Sequence, residues 1–265
     1  MDGKTSTKTD VSSAGATEAI SGPARQPEIA LPPLACAECK LGRFAIYGPT
    51  RETTPSEIYT RRRSVLTIQA GKTFLREGER FNESYTLYSG WAFRFKQLPD
   101  GRRQILSFLV PGDSVMLECL CFPELPLPFS VKSLTPLAAC TFTLRDMVSL
   151  TSAEGVQAQH FAKAMRDHLV SLNQRLMDIG RKSALGRVSQ LILELEGRLR
   201  QRGLSINGGF EFPVRQEHLA DALGLTTVYI NRTLDRLRKL DLIEFKRNWM
   251  MINDVPALAR IAEAE

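Results

Sequence analysis

The residues best suited to chemistry with a partner lie near the C-terminus, in the stretch QEHLADALGLTTVYINRTLDRL that begins at Gln216. Leu219, Leu223, Leu225 and Ile230 recur where two short helices crossing steeply would bury them, and Ala220 is small at the crossing. Gly224 stands at the turn, where left-handed backbone is cheapest without a Cβ. Thr226 and Thr227 then supply an N-cap for the second helix. On that helix Thr227, Tyr229, Asn231 and Arg232 can face away from the packed side. A guanidinium can hydrogen-bond guanine O6 and N7 together, and an Asn amide suits adenine or a phosphate. Arg215 before the pair, Arg236, Arg238 and Lys239 after it, and Lys246 and Arg247 beyond are placed for phosphates. From Arg181 to Asn248 there are 13 Lys/Arg against 8 Asp/Glu, so the positive excess surrounds this stretch. The chemistry implied is the reading of duplex DNA by a helix-turn-helix.

Five cysteines form the second reactive set: Cys36 and Cys39 as C-x-x-C, then Cys119, Cys121 and Cys140. The N-terminus carries Asp2 and Asp10 and no apolar export segment, and no apolar run reaches the roughly 18 residues of a membrane span. The expected location is therefore the cytoplasm, where thiols stay reduced. There the cysteines are buried small hydrophobes, metal ligands or redox switches, and the residues alone leave all three open. The histidines are His160, His168 and His218, and none lies between residues 64 and 144, which argues against a metal-dependent enzyme built in that region. There is no glycine-rich phosphate loop. Enzymatic function is not expected.

The elements that must position these groups follow from the pattern. Residues 1 to about 34 are rich in Ser, Thr, Ala, Gly and Pro and cannot offset chain entropy by burial, which predicts disorder. Residues 55–63, PSEIYTRRR, read as a short basic helix. From Ser64 to Leu144 short β-rich runs recur: 65–69, 85–89, 91–97, 105–110, 131–134 and 138–144, with a Pro-rich loop at 123–128. Such spacing predicts a sandwich or barrel. A helix over about 153–182 carries Ala158, Ala162, Met165, Leu169, Leu172, Leu176 and Ile179 at alternating spacings of 4 and 3, an uncharged heptad seam suited to a homodimeric coiled coil. A second amphipathic helix spans 184–202, Phe210–Val214 is a short strand, and 242–245 with 249–252 form a hairpin after the DNA-reading pair.

In this order the pieces resemble the Crp/Fnr regulators over roughly residues 36–260. The resemblance rests on GKTFLREGE at 71–79, LYSGWAFRF at 87–95, DGRRQILSFLVPGD at 100–113 and the stretch 215–243. It implies an α+β chain with a C-x-x-C-bearing extension (1–45) and an N-terminal β-roll (double-stranded β-helix) sensor domain (46–150). A dimerisation helix (151–183) and a C-terminal winged helix-turn-helix (184–265) would follow. It also implies a homodimer on a palindromic operator, with RNA polymerase as a partner. Arg232 matches the family's guanine-reading Arg. The family's Glu falls at Val228, which could instead touch a thymine methyl, and its Ser falls at Asn231. Cyclic-nucleotide binders of the family need a Glu after Gly-Asp and an Arg-Ser pair. Here Gly112-Asp113 is followed by Ser-Val-Met-Leu-Glu118, and Phe129-Ser130 stands at the Arg-Ser position, which argues against cyclic AMP. Cys140 matches the distant fourth cysteine of the Fnr iron–sulfur cluster, but the third would fall near Ala45. No cofactor is the leading expectation. An atypical cluster or a thiol switch, with Cys119 or Cys121 as stand-ins, is the alternative.

Overall fold

The computed structural model describes residues 29–33, 38–44, 62–152 and 156–263. The expected disordered extension and Cys36 lie outside the described residues. So does most of the expected basic helix at 55–63, whose last two residues, Arg62 and Arg63, instead open a strand.

Seven strands build the first half: β1 (Arg62–Ile68), β2 (Thr73–Leu75), β3 (Glu83–Ser89), β4 (Ala92–Gln97), β5 (Arg103–Leu109), β6 (Ser130–Ser133) and β7 (Leu137–Thr143). They form two antiparallel sheets, ordered β1-β7-β3 and β2-β6-β4-β5, as the β-roll reading requires. Alternation sets what each face meets. On β7, Leu137 and Ala139 point into the roll with Leu87, Val131 and Phe129, while Cys140 and Phe142 face outward onto Leu120, Met147 and Phe161. Covered on both faces, β7 is apolar almost throughout. The strand β2, too short to show a period, was not legible in the sequence.

The helical part starts sooner than expected. α1 (Leu144–Ser152) follows β7 directly, because Thr143 Oγ1 accepts from the Asp146 N–H at 3.1 Å and caps it; α2 (Val156–Arg181) follows. Ser183 caps α3 (Ala184–Gln201) by accepting from the Gly186 N–H at 3.2 Å. Then come β8 (Ser205–Ile206), β9 (Gly209–Glu211), α4 (Gln216–Leu223), α5 (Thr227–Lys239), β10 (Ile243–Lys246), β11 (Trp249–Ile252) and α6 (Val255–Glu263). The four short strands form one sheet, β10-β11-β9-β8, beside the helix pair, which makes the winged helix. The expected strand at 210–214 is shorter, ending at Glu211 ahead of Pro213.

The two halves share a core. Trp91, Phe93, Ile105, Phe108 and Val110 of the roll join Leu191, Leu195, Phe210, Phe212, Leu219 and Leu223 of the winged helix in one buried cluster. That is why Trp91 and Phe93, on the outer face of the roll, are only 1% exposed.

Gly90 turns the chain between β3 and β4 with φ +79, and a Cβ there would lie 2.3 Å from the Pro136 carbonyl oxygen and 2.7 Å from Leu137 Cβ. Gly90→Ala therefore combines backbone strain with overpacking and is expected to cost at least about 2 kcal/mol, read as a lower thermal midpoint by circular dichroism.

Candidate nucleic-acid interface

The helix pair is built as its sequence demands. Gly224 ends α4 in the left-handed conformation, φ 64 and ψ 37, and the Leu225 N–H returns to the Ala220 carbonyl at 3.2 Å. Thr226 caps α5, its hydroxyl accepting from the Tyr229 N–H at 3.3 Å. Ile230, Thr233, Leu234 and Leu237 are buried, and this settles which side of α5 faces out. Thr226, Thr227, Val228, Tyr229, Asn231, Arg232 and Arg236 are all exposed. Arg232 is in no ion pair among the described residues, whereas Arg238 is held by Asp235 at 3.2 Å and lies beside the Phe245 ring. Lys246 and Arg247 stand at the β10–β11 turn, with Lys246 paired to Glu244 at 2.9 Å, and Arg215 is the exposed N-cap residue of α4.

One end of α4 is turned toward the roll. His218 lies against Phe93, with ring centroids 5.5 Å apart, and its Nδ1 accepts from the Arg215 N–H at 3.1 Å. Burial pushes the imidazole pKa down, which suits a ring nitrogen used as an acceptor. A cleft of about 950 Å³ opens between these two surfaces and includes Lys132, Arg215, His218 and Arg247 in its walls.

On α2 the apolar seam is exposed. Leu176 is 73% exposed, and Leu169 and Leu172 are exposed with Val170 and Met177 beside the seam; Met165 and Ile179 are half-buried. The other side of α2 meets its own chain largely through polar groups. His168 Nε2 lies 3.8 Å from Glu118, Arg175 pairs with Glu194 at 3.0 Å, and Asp178 is buried, neutralised by Lys182 just past the helix at 2.9 Å. His168 is half-buried, and burial pushes its pKa down.

Arg94 points into the roll and is 5% exposed. Its Nη1 donates to both carboxylate oxygens of Glu118, at 2.7 and 3.0 Å, and its Nη2 to the Ser114 carbonyl at 3.0 Å. The guanidinium lies 5.0 Å over the ring of Phe129, the residue at the family's Arg position. Glu118 is therefore consumed by an internal cation, and that cation has both amino groups engaged. Arg94 Nε and the Ser114 hydroxyl have no partner among the described residues. These residues do not fit a cyclic phosphate. Sequence reasoning missed Arg94 because an Arg on an alternating strand reads as solvent-facing until the partner 24 residues away is known.

The described cysteines separate into three settings. Cys119 is in the roll core, where burial, then Glu118, push its thiol up to about 12. Cys121 is exposed. Cys39 and Cys140 flank Tyr88: burial and then these two neighbours push its phenol up. Among the described residues no group of three or more His, Cys, Asp or Glu could hold a metal ion, so they do not supply the four thiols of a cluster cage. Among them, too, no helix is long and apolar enough to cross a membrane.

The cyclic nucleotide-binding domain family matches residues 65–154, and the Crp-like helix-turn-helix domain family matches residues 186–261. The chain is 22% identical over 227 residues to the anaerobic regulatory protein of Pasteurella multocida, covering 86% of this chain and 82% of that one. It is 25% identical over 246 residues to the transcriptional activatory protein AadR of Rhodopseudomonas palustris, covering 90% and 100%. Among solved structures, FixK2 from Bradyrhizobium japonicum shares the fold with a TM-score of 0.68 at 22% identity, over 76% of this chain and 98% of that one.

A thiol at about 12 is ionised in roughly one molecule in ten thousand at pH 8. Iodoacetamide at pH 8 is therefore expected to label Cys121 and to spare Cys119 in the folded protein, as read by peptide mass spectrometry. Equal labelling of the two would contradict the burial described.

Proposed function

The chain belongs to the Crp/Fnr family of transcription regulators, and on that premise we propose that it works as a homodimer reading a palindromic DNA site through α5, without a cyclic nucleotide. The observation that carries the DNA reading is the exposed row Thr227, Val228, Tyr229, Asn231 and Arg232, with Arg232 in no ion pair among the described residues, on a helix whose opposite side is buried. Arg232 would read a guanine, with Asn231, Tyr229, Thr227 and Thr226 beside it and Val228 against a thymine methyl. Arg215, Arg236, Lys246 and Arg247 would hold phosphates. Val228 and Asn231 differ from the family pattern, so the half-site should differ at the bases they face.

The dimer reading rests on α2. Met165, Leu169, Leu172, Leu176 and Ile179 form a seam whose middle is left open, while His168, Arg175 and the buried Asp178 turn to the protein. A helix that turns polar groups inward and leucines outward calls for a second helix over the leucines. Independence from cyclic nucleotide is supported by the closed Arg94–Glu118 pair. The protein would act in the cytoplasm, with RNA polymerase as its further partner, as a regulator rather than an enzyme.

A second reading, response to oxygen or redox state, is favoured by the two thiols about Tyr88 and by relatives named as anaerobic regulators. Anaerobic purification with iron analysis separates its forms: iron would mean an atypical cluster completed from outside the described residues, and its absence would leave a thiol switch.

Arg232→Ala is expected to lose roughly 1–3 kcal/mol of specific affinity, with the loss confined to operators carrying the guanine it reads. Unchanged promoter binding in gel-shift titrations would remove Arg232 from the reading surface. Light scattering under air, without ligand, should give twice the 29.6 kDa chain mass at micromolar concentration. Leu172→Glu should give monomers and weaken palindrome binding by at least about tenfold, because it puts like charges in an apolar seam. A monomeric parent would sink the dimer reading.

A further inference from the structure

The DNA-reading half is attached to the roll by a polar clamp. β5 is the edge strand of its sheet, so every second carbonyl on its open side lacks a strand partner. Three arginines from the helical part take these carbonyls in order. Arg175 of α2 donates to the Leu106 carbonyl, Arg198 of α3 to that of Phe108 at 3.2 Å, and Arg202 to that of Val110 at 3.4 Å and of Pro111 at 2.6 Å. Arg198 and Arg202 share one carboxylate, that of Asp113 in the turn after β5, with Arg202 at 2.7 Å and Arg198 in close contact. The Val110 N–H donates to the same carboxylate at 2.8 Å. Farther along β5, Arg103 Nε donates to Asp221 of α4 at 2.8 Å, and its guanidinium stacks over Phe93. Gln104 donates to the Ala222 carbonyl at 3.3 Å.

We infer that Asp113 and Asp221 are positioning residues that set which half-site spacing this regulator accepts, by fixing the winged helix on the open edge of β5. The inference rests on the dimeric, palindrome-reading function proposed above. α5 packs on α3 and α4, and its location relative to the α2 seam therefore depends on how those helices are held. Asp113 holds α3 at its C-terminal turn, and Asp221 holds α4 through Arg103. These are two well-separated points, and two points resist rotation where one would act as a pivot. In a dimer the separation and relative twist of the two α5 helices then follow from the clamps. Each added base pair moves a half-site by about 3.4 Å and turns it by about 35°. Only a fixed pair of helices can penalise so small a change. Neither carboxylate belongs to the exposed row of α5, so contact with a single half-site does not involve them.

The test uses the full-length protein and the half-site recovered by selection from random duplexes. Binding is measured on the selected operator, on operators with one base pair removed or one or two added between half-sites, and on a single half-site. The parent should prefer the selected spacing by at least about tenfold. Asp113→Asn and Asp221→Asn should flatten that preference to within about threefold, with single half-site affinity unchanged. Variants that keep the parental preference, or that lose affinity equally on every duplex including the half-site, would overturn the inference and leave a structural role only. If Asp113→Asn fails to fold with its two arginines unpaired, Asp221→Asn, at a half-buried site, decides the question by the same criterion. A parent that is dimeric but indifferent to spacing would overturn this inference alone, whereas a parent that binds as a monomer would overturn the function on which it rests.

Discussion

An open sheet edge has to be dealt with in any β-roll that is not closed on itself, and here β5 presents it. Unpaired carbonyls attract other strands, and proteins protect such edges with charge or cover them. In this molecule the cover is a set of arginines from α2 and α3, whose guanidiniums offer several donors each in a fixed plane. The carboxylate of Asp113 neutralises two of them. Burial alone would push its pKa up, but Arg198, Arg202 and the Val110 N–H outweigh this and hold it below its ordinary value. Its contribution to stability is thus fully present above the ordinary carboxylate range and is lost as pH falls through the lowered value. What protects the sheet also binds the DNA-reading half to the roll, so neither half is shaped independently of the other.

The same economy governs α2. Its inward side carries His168 and Arg175, each answering a carboxylate or carbonyl of the body, with Asp178 buried beside them, and its leucines are left over on the outside. A helix used in this way links three surfaces at once: the floor of the roll through Glu118, the β5 edge through Arg175, and the apolar seam. Glu118 connects the first of these to the roll interior, because the carboxylate that lies near His168 is the one that holds Arg94. The protein's own ion pair lies in the roll, with its guanidinium over the ring of Phe129. Burial of a cation and an anion together costs desolvation, and it is tolerable here because Arg94 donates three hydrogen bonds and lies over an aromatic face.

Much of this protein is legible from one strand of text. Period-two runs between turn residues mark most of the roll, the alternation of 4 and 3 marks α2, and Gly224 with Thr226 marks the turn of the DNA-reading pair. These are local signals, since a turn conformation, a cap or an amphipathic stripe depends on residues within a few positions of each other. The outward row on α5 was legible for the same reason: once Ile230, Leu234 and Leu237 are taken as buried, the remaining side follows from helical geometry. The strands β2 and β8 were not, because two or three residues show no period. The start of α1 at Leu144 depends on a cap by Thr143 that an apolar run at the end of β7 disguises.

What the tertiary structure alone decided is the pairing of distant charges. Arg94 with Glu118, Asp113 with Arg198 and Arg202, and Arg103 with Asp221 join residues 24 to 118 positions apart. Each of these side chains, taken alone, reads as solvated surface, and Asp113 reads only as part of a turn. The separation of the cysteines is of the same kind: nothing in their spacing says that Cys119 is buried in the roll while Cys39 and Cys140 both lie near enough to Tyr88 to raise its phenol pKa. Composition and period specify which residues are inside because burial is paid residue by residue. They do not specify which charge meets which, because that energy exists only between partners the fold has already brought together. The sequence by itself therefore determined the helix-turn-helix and the elements around it, and the fold decided how that helix-turn-helix is held.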